Sequence, residues 1–384
     1  MNKKIESFTG LRFIMIMLIV IIHLDGIIQY LGEFGEIHHR IFSETYMMAV
    51  DFFFILSGFG MMYGNLLKIK DEELSIPSIT DGLKYAINHI KKIYPTYIAT
   101  ILFGLIIVVV KELIANTVSI KFCIKQIIQL IINISLLQSA TAMTFFTHAY
   151  NGAAWFLSSL FCIYLVSPFF IVLFRKISRS LKSDLLFMCL NIFLIIVLSG
   201  LFTIIENKCQ QINGIPEING LVYSSPYRRL FYVLLGMNIA MFFSRLKERI
   251  DISKRIATIL EIIISLLAIV HYFILRIYIK NYSYCMIIDM VILILFFIIF
   301  AFDKGIISDL LGKPFMQTLG NMAMYIFLIH FVLIQHFYTM INEKWGWNFI
   351  SVYVYSGIVL LVTFSISWIL YKKPFMKRGE KYFN

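Results

Sequence analysis

Residues 11–30 read LRFIMIMLIVIIHLDGIIQY, an apolar run that carries one arginine, Arg12, near its start and one histidine, His23, well inside it. A helix needs about 20 predominantly apolar residues to cross a bilayer, and this run has that length. An arginine at lipid depth costs roughly 2.5–3.5 kcal/mol on insertion scales, so an ionisable residue kept there marks a candidate functional site. At ~100° per residue, the eleven steps from Arg12 to His23 end about 20° past three full turns, with a rise of ~16 Å. The two side chains therefore share one stripe of one helix at two depths. A cation and a proton-transfer group placed this way suit a long ligand, anionic at one end and reactive at the other. The pair is also compatible with Arg12 snorkelling to the headgroups while His23 bonds a neighbouring helix.

The remainder of the chain has the same character. Of 384 residues, 60% are hydrophobic and 15% charged, and mean hydropathy is +0.83, which points to an all-α, polytopic membrane protein forming one domain over residues 1–384. Ten apolar segments of spanning length fall near 11–30, 46–67, 93–112, 153–174, 184–205, 229–243, 256–275, 284–302, 319–340 and 349–371. The stretch KFCIKQIIQLIINISLL (121–137) has lysines and polar residues at helical spacing and reads as an amphipathic surface helix. With the N-terminus in the cytoplasm, 23 of the 34 Lys and Arg lie in cytoplasmic segments and 10 opposite, so both termini are expected inside. The start, MNKKIESFTG, then reads as the lead-in to an uncleaved signal-anchor. The net charge of +12 is accounted for by these topology signals; membrane lipids, not nucleic acid, are the expected partners. The five cysteines form no disulfide framework, since only Cys209 lies in a polar loop.

Several polar residues within the spans are candidates for chemistry. In VDFFFILSGFG (50–60), Asp51 stands near the outer end, and Ser57, Gly58 and Gly60 lie at the middle. Small residues there admit a ligand or another helix, and the Ser57 hydroxyl could donate to a developing oxyanion. HIKKIYPTY (89–97) puts Lys91 and Lys92 where the third span meets the inner headgroups, as ligands for lipid phosphate or for a nucleotide. Trp155 falls near the outer interface, Arg228 and Arg229 stand against the positive-inside trend, and His330 lies at mid-membrane in YIFLIHF (325–331). Glu261, His271 and Asp289 read as buried polar groups that pair across helices. No Walker loop, nucleophile elbow or metal-ligand cluster is visible, so neither an ATP-driven pump nor a metal is expected.

In order along the chain, these pieces resemble the integral-membrane acyltransferase-3 family. The matching features are R-x10-H (Arg12, His23), VDFFFILSGF (50–59), a basic-I-Y-P stretch (91–95), WFLS (155–158), an arginine before the sixth span, and YIFLIH (325–330). The resemblance implies a ten-helix enzyme of the bacterial plasma membrane. Such an enzyme moves an acyl group, usually acetyl, from cytoplasmic acyl-CoA to a sugar hydroxyl, often on a cell-surface polysaccharide. It also implies that Arg12 and His23 are essential. Three departures stand out: lysines replace arginine at 91–92, Leu160 stands where many bacterial members have Glu, and Ala323 stands where serine is common.

Together these readings give an expected mechanism. Acetyl-CoA is the co-substrate, its nucleotide held by Lys91, Lys92 and Arg12, with Gly58, Phe59 and Tyr94 as further donor-binding candidates. His23 serves as general base, or alternatively carries the acyl group as an acyl-imidazole; Asp51 rather than Asp25 orients it, and Ser57 or backbone N–H groups near Gly58 stabilise the oxyanion. Arg228, Trp155 and His330 bind the saccharide. The alternative is an exporter of polysaccharide or lipid-linked sugar, which would carry inverted repeats; none is visible. The sequence leaves oligomeric state open, a homo-oligomer included.

Overall fold

The computed structural model describes residues 4–42, 45–68, 75–180, 183–211, 220–275, 282–345 and 348–373. Both chain ends assigned above to the cytoplasm fall outside them. In chain order the helices are α1 (Glu6–His23), α2 (Asp25–Ile28), α3 (Glu33–Phe42), α4 (Thr45–Lys68), α5 (Ile79–Ile90), α6 (Tyr94–Ile114), α7 (Ile120–Ile134) and α8 (Thr144–Thr147). They continue with α9 (Trp155–Ser180), α10 (Asp184–Gln211), α11 (Pro226–Arg249), α12 (Lys254–Val270), α13 (Tyr282–Ala301), α14 (Ile306–Leu311), α15 (Pro314–Trp345) and α16 (Phe349–Lys372). Among the described residues nine helices are long and apolar enough to cross a membrane, and Ile287–Ala301 of α13 adds a shorter apolar stretch at the expected eighth span. The protein is an all-α, multi-pass membrane protein.

Helix starts are fixed by local chemistry. Ser225 and Ser253 accept from the first-turn amides of α11 and α12, and Pro226 occupies a first-turn position where a missing N–H costs nothing. Ser78 and Asp81 form a reciprocal capping box at the start of α5, and the Ser78 donors hold the Asp81 carboxyl below its ordinary range. The start of α1 is capped from a distance. The Asp303 carboxylate accepts from the amides of Glu6 and Ser7, each at 3.0 Å, placing a negative charge on the positive end of the helix. Gln317 of α15 then donates to the Glu6 carbonyl at 2.8 Å. These ties set the depth of Arg12 and His23 against α15.

At the centre, α4 crosses α11 in backbone contact. A Cβ on Gly58 would collide with the Val233 carbonyl, and one on Gly236 with the Ile55 carbonyl. Lipid offers little hydrophobic drive between helices, so close packing through small residues is what holds such a crossing.

Two expectations need correction. The α7 segment is helical, but its polar side faces inward. Gln126, Gln129 and Asn133 are buried, while Ile124, Ile127, Ile128 and Ile131 are exposed. The buried side receives the Tyr150 hydroxyl and donates to the carbonyls of Phe145 and Phe146, so its polar residues satisfy protein groups rather than water. The second correction concerns the third span, which is preceded by a separate helix, α5, packed along α9. A Cβ on Gly82 would meet the Leu165 carbonyl, and the His89 ring lies 4.9 Å from the Tyr164 ring. Tyr164 is nine residues, or ~14 Å, into α9. The turn carrying Lys91 and Lys92 therefore sits beside the middle of α9, not at its inner end.

Candidate active site

Arg12, Ile16, Ile19 and His23 fall at i, i+4, i+7 and i+11 of α1, one face of the helix. Ile16 and Ile19 line a small, partly open apolar pocket, completed by Phe53 of α4, Phe156 of α9, and Ala323, Met324 and Phe327 of α15. Arg12 stands one turn below this pocket and His23 one turn above it. The pocket lies between the two depths that the spacing defined.

At the lower end Arg12 is half-buried and, among the described residues, has no carboxylate or hydrogen-bond partner. It lies in electrostatic reach of the Tyr164 hydroxyl, which is within hydrogen-bonding reach of Ser57. Tyr164 also stacks against His89, one residue before the end of α5, so the exposed Lys91 and Lys92 belong to the same neighbourhood. Lys91 Nζ donates to Asn88 at 2.9 Å. Tyr164 thus links Arg12 to the end of α5, just ahead of Lys91 and Lys92.

At the upper end His23 is half-buried. Its Nδ1 lies 2.8 Å from His330 Nε2, and the two rings are nearly parallel, at 18°. His330 is fully buried, and its Nδ1 is 2.9 Å from the Ile326 carbonyl. Phe331 sets its ring edge-on to His23 at 4.5 Å. The exposed His148 is in electrostatic range of His23, and Gln335 ties it in place, donating to the His148 carbonyl at 2.9 Å while accepting from Gly152 N–H at 2.8 Å.

Several expected roles do not fit this geometry. Asp51 does not orient His23, because its carboxylate is ion-paired with Arg229. Asp25, also beside His23 in sequence, is taken by His38 at 2.8 Å and His39 at 2.6 Å. Ser57 does not serve an oxyanion at His23, since it stands at the Arg12 level and its one O–H donates to the Phe53 carbonyl at 2.9 Å. Gly58 offers no freed amide, being inside the continuous α4 and packed on Val233, and Phe59 is buried between Phe8 and Tyr63. Tyr94 donates to the Ile134 carbonyl at 2.9 Å and so ties α6 to α7.

The saccharide candidates also turn inward. Arg228 is buried and donates to the Val222 carbonyl and the Tyr232 hydroxyl. Trp155 is buried too, forming with Phe54, Tyr223 and Tyr232 a box around the Arg229 guanidinium at 5.0–5.5 Å. His330 meets His23 instead of solvent. Of the remaining buried polar groups, His271 pairs with Asp289 at 2.7 Å, and Glu261 accepts from Gly305, Ile307 and Ser308 at the start of α14. Among the described residues, no group of three or more His, Cys, Asp or Glu is arranged to hold a metal.

Tyr164, His148 and the pocket are contributions of the fold beyond the residues singled out above. The i+4 and i+7 positions after Arg12 were a usable signal for Ile16 and Ile19. Nothing local to the sequence marks Tyr164 or His148.

Along one face of α1 the structure thus sets Arg12, an apolar pocket and the His23–His330 imidazole pair in order of depth. A family model described as an acyltransferase domain matches residues 5–372. The chain belongs to the acyltransferase-3 family and is an acyltransferase. No curated protein and no solved structure matches it.

Proposed function

We propose that this enzyme transfers an acyl group, acetyl in the first instance, from cytoplasmic acyl-CoA to a hydroxyl of a cell-surface saccharide in the bacterial plasma membrane. The observation that carries the reading is Arg12, which has no carboxylate partner among the described residues, one turn below an apolar pocket that lies between it and His23. A charge kept inside a bundle without a carboxylate partner is stabilised when a ligand brings the counter-charge. Phosphate groups fit this role, with Lys91 and Lys92 adding point charges at the end of α5. The ~16 Å rise from Arg12 to His23 matches a long, thin arm laid along Ile16 and Ile19.

At the upper end the chemistry is acyl transfer. The acceptor O–H gives its proton to His23 as its oxygen attacks the thioester carbonyl. The C–S bond then breaks, and the thiolate takes the proton back from His23. Imidazole suits both steps because it accepts and returns a proton near neutral pH. His148 and Gln335 stand on the side of His23 away from the apolar pocket and are candidates to receive the acceptor.

The test is transfer of label from radiolabelled acetyl-CoA in proteoliposomes, comparing the parent enzyme with His23→Ala at matched expression. Label should pass to a saccharide, or to water in its absence, and fall by at least about 100-fold in the variant. Equal activity in the two proteins would remove His23 from the chemistry. No transfer from acetyl-CoA or longer acyl-CoA would overturn the donor assignment.

A further inference from the structure

We infer that His330 is a positioning residue that fixes the tautomer of His23, so that the nitrogen taking the acceptor proton is Nε2. This rests on the reading of His23 as the base.

The argument begins at Ile326. A backbone carbonyl only accepts, so the His330 Nδ1 that faces it at 2.9 Å carries the hydrogen. A neutral imidazole has one donor and one acceptor nitrogen, which leaves the lone pair of His330 on Nε2. That lone pair faces His23 Nδ1 at 2.8 Å and accepts from it. His23 therefore holds its own hydrogen on Nδ1, and its basic lone pair lies on Nε2, which has no partner among the described residues. One main-chain carbonyl sets two tautomers in series.

The arrangement differs from an imidazole oriented by a carboxylate. The two aspartates that might have served are committed elsewhere, Asp51 to Arg229 and Asp25 to His38 and His39. An imidazole partner orients without adding negative charge. His23 is then aligned to accept a proton but is not held in its protonated form by a neighbouring anion. That favours returning the proton to the departing thiolate. Phe331 against His23 and Phe327 near His330 keep the pair in an apolar setting.

The experiment compares His330→Phe, which keeps a ring but loses the acceptor, with His330→Gln, whose side-chain oxygen can accept from Nδ1–H. In His330→Phe kcat should fall by about 100-fold while KM for acetyl-CoA holds, and His330→Gln should recover most of the loss. A purely structural role would move thermal stability in both variants and spare this split. As an independent readout, 15N spectra of the labelled parent protein should show His23 protonated at Nδ1. The Nε2–H form there, or a fully active His330→Phe, overturns the inference and leaves the base assignment standing. An active His23→Ala removes both.

Discussion

Arg229 and Arg12 both carry a guanidinium into the interior of a membrane bundle, and their surroundings differ in every respect. Arg229 is ion-paired with Asp51, donates from Nε to the Tyr223 carbonyl at 2.7 Å, and is boxed by four aromatic rings. Its charge is neutralised, hydrogen-bonded and sealed. Arg12 has no acidic partner among the described residues, lies near the Tyr164 hydroxyl, and stands one helical turn from the apolar pocket. The first arginine completes the fold; the second is completed by something else. Burial by itself does not distinguish a structural charge from a functional one. The identity of the counter-charge does.

The largest effect should come from breaking the sealed pair. Asp51→Ala leaves Arg229 buried and uncompensated, which costs about 3–5 kcal/mol. Unfolding of the detergent-solubilised protein should shift accordingly, with much reduced yield. Replacing both partners by apolar residues, Asp51→Leu with Arg229→Met, should restore most of that stability, because the cost lies in the orphaned charge. Full activity in the restored double variant would confirm that neither residue takes part in the chemistry; a folded but inactive one would return Asp51 to the mechanism.

Arg12→Gln should behave in the opposite sense. Removing an interior charge that has no carboxylate partner among the described residues leaves stability unchanged or higher. Loss of a charge-assisted hydrogen bond of roughly 1.5–3 kcal/mol should raise KM for acetyl-CoA about 10–100-fold. A destabilised Arg12→Gln with normal KM would mean that Arg12, like Arg229, belongs to the scaffold.

The same contrast explains what could be read from the sequence. Long apolar runs announce themselves by composition, and the one-stripe relation of Arg12 to His23 follows from helical spacing alone. Partners are another matter. Asp51 meets Arg229 across 178 residues and His23 meets His330 across 307, and no periodicity encodes such pairs. Spacing alone therefore pairs Asp51 with His23 and leaves His330 to the substrate, where the fold pairs each with another residue. The α7 face was inverted for a related reason. Hydropathy records that Gln126, Gln129 and Asn133 share a side, but not that protein, instead of water, lies against it. The separate α5 leaves no spanning signal because its twelve residues are too few, although it carries His89 up to Tyr164.

The smallest effect should be at those lysines, and it sharpens the comparison from the exposed side. Lys91 and Lys92 are at the surface of the structure, where a single ion pair is worth about 1 kcal/mol or less. Lys91→Ala and Lys92→Ala should each raise KM for acetyl-CoA by roughly fivefold at most. That increment should shrink as salt rises, since exposed charges are screened beyond about 8 Å at physiological ionic strength. The Arg12→Gln defect, set inside the bundle, should persist across the same salt range. Measuring KM for all three variants at low and high salt separates a charge that attracts the donor to the surface from one that holds it within. If the lysine and arginine defects fade together, the donor phosphates stay outside the bundle and Arg12 acts only through the long-range field.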